Sequence, residues 1–189
     1  MRKHVINLPD GAAMSRLLAD NQMNPAGTVL HLSWKAGLSR EEIAGLTWEQ
    51  VAFQDGCLNL PDRSVPLDGE TLAYLRRLRE ERESGTWVLF SERTGGAMQP
   101  ESISRLARQA LDAAGEKDVR LMDLRHDWIL RQLETQDWAT VARVSGVEVP
   151  ALQARFGPLV AEHPPQARPR RETGGQVDEF KLWKVLQAE

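Results

Sequence analysis

The chain has 189 residues, 41% of them hydrophobic and 27% charged, with a formal net charge of -3. That size and mix suit one folded domain with a substantial core and exclude a disordered or fibrous chain. The acidic balance excludes wholesale attraction to polyanions, so any surface for nucleic acid must be a local patch of Lys and Arg.

Taken in chain order, Asp10 caps a first helix carrying Met14, Leu17 and Leu18. Pro25-Ala26-Gly27 opens a second, antiparallel helix with Val29, Leu30, Leu32 and Trp34 as its apolar surface, stopped by Gly37. Ser39-Arg40-Glu41-Glu42 spells a capping box for a short helix through Ile43, Ala44 and Leu46. From Trp48 the pattern alternates through Val51 and Phe53 to an Asp55-Gly56 turn, then Cys57-Leu58-Asn59-Leu60, a Pro61-Asp62 turn, and Ser64-Val65-Pro66-Leu67. This predicts a small three-stranded antiparallel meander.

Residues 68–83 read as a helix with Leu72, Leu75 and Leu78 on a buried stripe, and the run Arg76 to Glu83 as its solvated face with i,i+4 pairs. Val88-Leu89-Phe90 is a short apolar segment before a Gly95-Gly96 loop, and Pro100 starts a helix to about Ala114. Further helices are expected over about 123–134, over about 137–144 with Gly146 as the stop, and near 150–155. The fold class is thus α+β, mainly helical, with residues 1–160 as the compact domain. Residues 161–175, rich in Pro, Arg and Gly, read as a linker. Residues 176–189 read as an amphipathic helix, too short to stand alone. Its Val177, Phe180, Trp183 and Leu186 face calls for docking on its own domain, on a second copy or on another protein.

The start, Met1 to Asp10, lacks the apolar stretch of a signal peptide, and no run is long enough to span a bilayer. A cytoplasmic protein without membrane contact is expected. Cys57 is the single cysteine, which excludes an internal disulfide; without ligand partners at metal spacing it reads as a buried strand residue, and no metal is expected.

Several stretches resemble one family. Gly37-Leu38-Ser39-Arg40-Glu41-Glu42-Ile43-Ala44-Gly45-Leu46-Thr47-Trp48 is similar to the G-L-R-x-x-E-x-x-x-L-x-W signature of tyrosine recombinases, the phage-integrase family. Val65-Pro66-Leu67 resembles the strand end after that family's catalytic hairpin, Leu89-Phe90 its short l-F element, and Asp123-Leu124-Arg125-His126 its H-x-L-R-H motif. The resemblance covers roughly residues 8–157 and implies the fold of the family's catalytic domain. It also implies metal-free and cofactor-free attack of a tyrosine oxygen on a DNA phosphodiester. In that chemistry arginines and a His or Trp hold the non-bridging oxygens, while a hairpin lysine and a further histidine manage protons.

Carried onto this chain, the resemblance puts Ser39 at the first arginine, Met122 at the first histidine, Arg125 at the second arginine, Val147 at the His/Trp and Phe156 at the tyrosine. Only Arg125 is retained, and Arg63 is the sole basic side chain near the hairpin lysine's place, where a guanidinium cannot give up a proton at neutral pH. The implied protein is a degenerate, catalytically inactive relative of mobile-element origin. It is expected to bind double-stranded DNA through Arg63, Arg93, Arg105, Arg108, Arg125 and His126 and to modulate recombination or transcription. No counterpart of the family's helical core-binding domain is expected ahead of the first helix, so DNA affinity is expected to be weak or to need oligomerisation.

Each position also has a structural reading. Ser39 is explained as an N-cap, Met122 and Val147 as core filling, His126 as a core histidine, Tyr74 as a half-buried packing residue, and Arg125 as the partner of Asp123 or Glu134. The alternative function is a protein-interaction module that has lost DNA binding and associates through its C-terminal helix.

Overall fold

The computed structural model describes residues 6–82 and 85–162. The expected linker and C-terminal helix, with Val177, Phe180, Trp183 and Leu186, lie outside the described residues. The architecture is the expected one, mainly helical with one small sheet.

Helix α1 (Gly11–Asp20) starts where the Asp10 carboxylate accepts the Ala13 N–H at 2.7 Å. Helix α2 (Pro25–Leu30) starts from Asn24 and continues as a π-helical turn over His31–Lys35. The wider turn brings His31, Leu32 and Trp34 inward together, and all three are buried. Gly37 ends it at φ +66, and its missing side chain matters twice: a Cβ there would lie 2.2 Å from the Trp128 ring. Helix α3 (Arg40–Gly45) then begins with the predicted capping box.

Strands β1 (Val51–Ala52), β2 (Cys57–Asn59) and β3 (Ser64–Pro66) form the antiparallel meander in the order β1-β2-β3. Val51 pairs with Leu58 and Leu58 with Val65, so one row of apolar side chains turns to the core while its strand neighbours face outward. Cys57 belongs to the outward set: it is in the strand, as predicted, but half-buried.

Helix α4 (Gly69–Glu81) buries Leu75 and Leu78. Its arginines form no i,i+4 pairs among the described residues. Arg79 instead lies over the Trp48 ring and Arg82 over Phe90, because bare aromatic faces within reach attract a guanidinium. The 88–90 segment is tied to the α3 exit by the Val88 N–H donating to Leu46 O at 2.9 Å.

Helices α5 (Pro100–Ala113), α6 (Leu121–Leu133), α7 (Trp138–Ser145) and α8 (Val149–Glu162) complete the domain. Helix α6 begins two residues before the expected start, because the Asp123 carboxylate accepts the Arg120 N–H at 3.0 Å and caps it from inside. Helix α8 runs well past the expected 150–155, carrying Pro158 within it. Its Leu152 and Phe156 enter the main core with Trp128 and Ile129 of α6, whereas α1, α5 and Trp34 enclose a second cluster around Met14, Leu30 and Leu111.

Candidate nucleic-acid interface

Ser39 caps α3 as its sequence suggests, and the reciprocal half of that cap places Glu42 at the centre of the site. The Ser39 N–H donates to Glu42 Oε2 at 2.7 Å, and the Ser39 hydroxyl accepts the Glu42 N–H at 3.3 Å. The same carboxylate holds two arginines. Arg125 Nη1 of α6 donates to Oε2 at 3.0 Å, and Arg63 Nη1, from the turn between β2 and β3, lies 2.5 Å from Oε1. The last turn of α7 fixes both guanidinium planes: Arg125 Nη2 donates to Ser145 O at 2.8 Å and Arg63 Nε to Val144 O at 3.0 Å. Gly146, left-handed at φ +68, leaves the room in which Arg63 lies, since a Cβ there would come within 2.9 Å of Nη1.

The electrostatics follow from this packing. Burial pushes the Glu42 carboxyl up, but the hydrogen bonds from Arg63 and the Ser39 amide and the charge of Arg125 outweigh it and hold it below the usual carboxylate range. Burial lowers the affinity of Arg125 for its proton, with Glu42 opposing and Arg63 assisting. The arrangement is a partly buried Arg–Glu–Arg cluster, extended by Asp62 Oδ1 3.2 Å from Arg63 Nη1, whose members depend on one another.

Above Glu42 opens a cleft of about 1300 Å³, walled by α3, α5, the 117–122 segment, α6 and α8. Seven basic residues line it, Arg40, Arg105, Arg108, Lys117, Arg120, Arg125 and Arg155, against two acidic ones, Glu41 and Glu42. Arg40 pairs with Glu41, Arg108 with Asp112, and Arg125 with Glu42. Arg105, Lys117, Arg120 and Arg155 are exposed, with no ion pair among the described residues.

The positions singled out from the sequence divide. Arg105, Arg108, Arg125 and His126 line the cleft; Arg93 lies in the exposed 91–97 turn, outside the lining. Arg63, expected at the surface, has a side chain only 5% exposed and faces Glu42 because its hairpin packs on the end of α7. Arg125 is indeed ion-paired, but with Glu42 rather than Asp123 or Glu134. Met122, read as core filling, is 51% exposed at the cleft wall, since α6 starts at Leu121 and turns Leu124 inward instead.

Val147 is partly buried against the core, and His126 is buried with Nδ1 3.7 Å from Asp123 Oδ1 and its ring edge-on to Phe156, centroids 5.5 Å apart. Phe156 is only 1% exposed. Tyr74 is more deeply buried than predicted: its hydroxyl is bonded to Thr28 Oγ1 at 2.8 Å and its ring stacks on His31. Among the described residues no cluster of His, Cys, Asp and Glu could hold a metal ion, and no helix is long and apolar enough to cross a membrane.

Residues 13–148, which carry the capping-box helix, the meander and Arg125, match the model of the Phage integrase family. The chain belongs to the phage integrase family. No sequence match is found among curated proteins. Solved structures show the same fold in tyrosine recombinases and integrases. XerA recombinase superposes with a TM-score of 0.71 at 20% identity, over 88% of this chain and 66% of that one. The Tn1549 transposon integrase in complex with transposon right end DNA gives 0.68 at 13% identity, over 86% and 66%. The integrase from mycobacterium phage Brujita gives 0.61 at 20%, over 86% and 58%. The integrase-family chain described here thus spans somewhat under two thirds of these proteins.

Sequence reasoning missed Lys117, Arg120 and Arg155 as lining residues and Glu42 as the hub of the two arginines. The N3 acid of the capping box was visible, but a cap partner carries no sign that its carboxylate also faces basic side chains from distant segments.

Proposed function

We propose that this phage-integrase-family chain binds duplex DNA through the cationic cleft without cutting it, as a noncatalytic factor of mobile-element origin that modulates recombination or transcription. The observation that carries this reading is four exposed cations, Arg105, Lys117, Arg120 and Arg155, with no ion pair among the described residues, around one cleft in a chain of net charge -3. Unpaired surface cations gathered on one face release condensed counterions when they meet phosphates, which is the main source of sequence-independent affinity. Arg108, tied to Asp112 and to the Lys117 and Val119 carbonyls, shapes the wall instead.

The absence of cleavage rests on Phe156, which stands where the motif register expects the tyrosine. A phenyl ring has no oxygen to attack phosphorus. Tyr74 supplies no replacement, because its hydroxyl is buried against Thr28 and does not line the cleft. Met122 at the register position of a proton-transferring histidine offers only a thioether.

Fluorescence anisotropy with random duplex DNA across a salt series tests the binding. Affinity is expected to fall steeply with salt, and Arg105→Ala, Lys117→Ala and Arg155→Ala are each expected to reduce the slope of log K against log salt by about 1. No binding at low salt would overturn the reading. A covalent protein–DNA adduct on a nicked duplex would overturn the noncatalytic part. The second reading, a site for a partner protein, is favoured by the exposed Met122 on the cleft wall. It predicts binding that salt weakens little and that Met122→Asp abolishes.

A further inference from the structure

Two of the four exposed cations of the cleft, Lys117 and Arg120, sit on the irregular stretch that joins α5 to α6. Arg105 and Arg155 ride on helices, whose hydrogen-bond ladders hold them in place. The joining stretch has no such ladder: no backbone N–H among the described residues donates to the carbonyl of Lys117, Asp118 or Val119. A loop free to move must be ordered before its cations can sit on phosphates, and that ordering weakens binding.

Side chains from elsewhere take all three carbonyls. Arg108 of α5 donates from Nη2 to Lys117 O at 2.6 Å and from Nη1 to Val119 O at 3.3 Å. Between them, Asn7 Nδ2 donates to Asp118 O at 2.9 Å from the segment ahead of α1, 111 positions away in sequence. Both clamping residues are themselves held. Asp112 accepts Arg108 Nε at 2.9 Å and pairs with Nη2, which fixes the plane of the guanidinium fork. The Asn7 N–H donates to Asp123 Oδ1 at 3.4 Å while Asp123 Oδ2 accepts the Arg120 N–H at 3.0 Å, and Ile6 beside it packs against the main core. Val119 is buried in the second cluster, so the stretch is pinned from three sides.

We propose that Asn7 and Arg108 are positioning residues for the cleft. They clamp the 117–119 backbone so that Lys117 and Arg120 stand in place for phosphate, and neither acts through a charge of its own. Asn7 carries no charge, and the Arg108 fork is engaged by Asp112 and two carbonyls. The part concerning DNA rests on the reading of the cleft given above; the clamp itself does not.

The test combines anisotropy of the full chain with random duplex DNA across a salt series and backbone amide NMR relaxation without DNA. Asn7→Ala is expected to weaken binding about threefold or more and to lower the slope of log K against log salt by about 1, although it removes no charge. Arg108→Lys keeps the charge, but an ammonium lacks the rigid fork that spans two carbonyls, so it is expected to weaken binding as much as Arg108→Ala. Added to Lys117→Ala/Arg120→Ala, Asn7→Ala is expected to cause no further loss, because it acts only through those two cations. Full binding by Arg108→Lys, or a loss from Asn7→Ala that persists in that background, overturns the proposal. Without DNA, the order parameters of the Lys117, Asp118 and Val119 amides are expected to fall to about 0.6 in Asn7→Ala and Arg108→Lys while those of α6 stay in the rigid range. Unchanged order at those amides in the folded variants sinks the clamp, and should one variant not fold, the other decides. Absence of DNA binding by wild type removes only the reading of the cleft, and the relaxation comparison still decides the clamp.

Discussion

His31 and Phe156 show at the level of single side chains how far the core constrains this protein. His31 lies buried in the π-helical turn, its ring stacked on Tyr74 with centroids 3.9 Å apart. Burial lowers its pKa from 6.5 to about 4; Lys35 assists, and Glu70 and Asp68 oppose. The unfolded chain therefore takes up a proton near pH 6.5 while the folded chain resists until near pH 4. This stability is fully present above pH 6.5 and is lost as pH falls towards 4. Between pH 7 and 5 the loss is expected to be about 2 kcal/mol, and Glu42, whose pKa is lowered, adds to the loss only further into acid. Urea midpoints at the two pH values check this, with His31→Gln expected to flatten the difference. Phe156→Tyr introduces a hydroxyl into a nearly closed apolar site against the His126 edge. It is expected to cost about 1–3 kcal/mol in denaturant unfolding and to yield no covalent adduct on nicked DNA, because the ring is packed and Arg125 is already engaged by Glu42.

The elements were legible in proportion to how local their causes are. Helices α1 and α3 and the start of α4 sit where Asp10, Ser39 and Asp68 announce them, because a cap involves residues three apart in sequence. The meander was legible because the Val51, Leu58 and Val65 row repeats apolar residues at each strand crossing. The π-helical turn was not, since it exists to seat His31 and Trp34 against helices far along the chain, and α8 was underestimated because Pro158 and Gly157 are helix breakers by local propensity. Gly37 joins the two scales: as a stop it was visible, but its contact with Trp128, 91 positions on, was not. Gly37→Ala is expected to destabilise the fold by about 2–4 kcal/mol, from the left-handed backbone and the crowded ring together, measured by urea unfolding.

Over the whole molecule, charge is sorted by the fold rather than by composition. A chain of net charge -3 gathers seven basic residues around one cleft, against only two acids in its lining, Glu41 and Glu42. The expected consequence separates two surface arginines that look alike in sequence. Arg155→Ala weakens DNA binding and flattens its salt dependence, whereas Arg93→Ala, outside the cleft, leaves both unchanged; anisotropy under identical salt measures the pair. Equal losses at both sites would place the DNA on a broader surface than the cleft. The family and fold were legible in the sequence because motif order along the chain mirrors the order of elements.

By itself the sequence determined the capping box of α3, the meander, the membership in the family and the lack of a hydroxyl at position 156, all of which are matters of residue identity and near-neighbour spacing. Only the tertiary structure decided that Arg63 turns inward, that Arg125 pairs with Glu42 rather than with an acid on its own helix, and that Lys117, Arg120 and Arg155 share a cleft. A guanidinium's partner is set by which backbone segments pack within about 3 Å of its long, flexible side chain, and that proximity is a property of the assembled core.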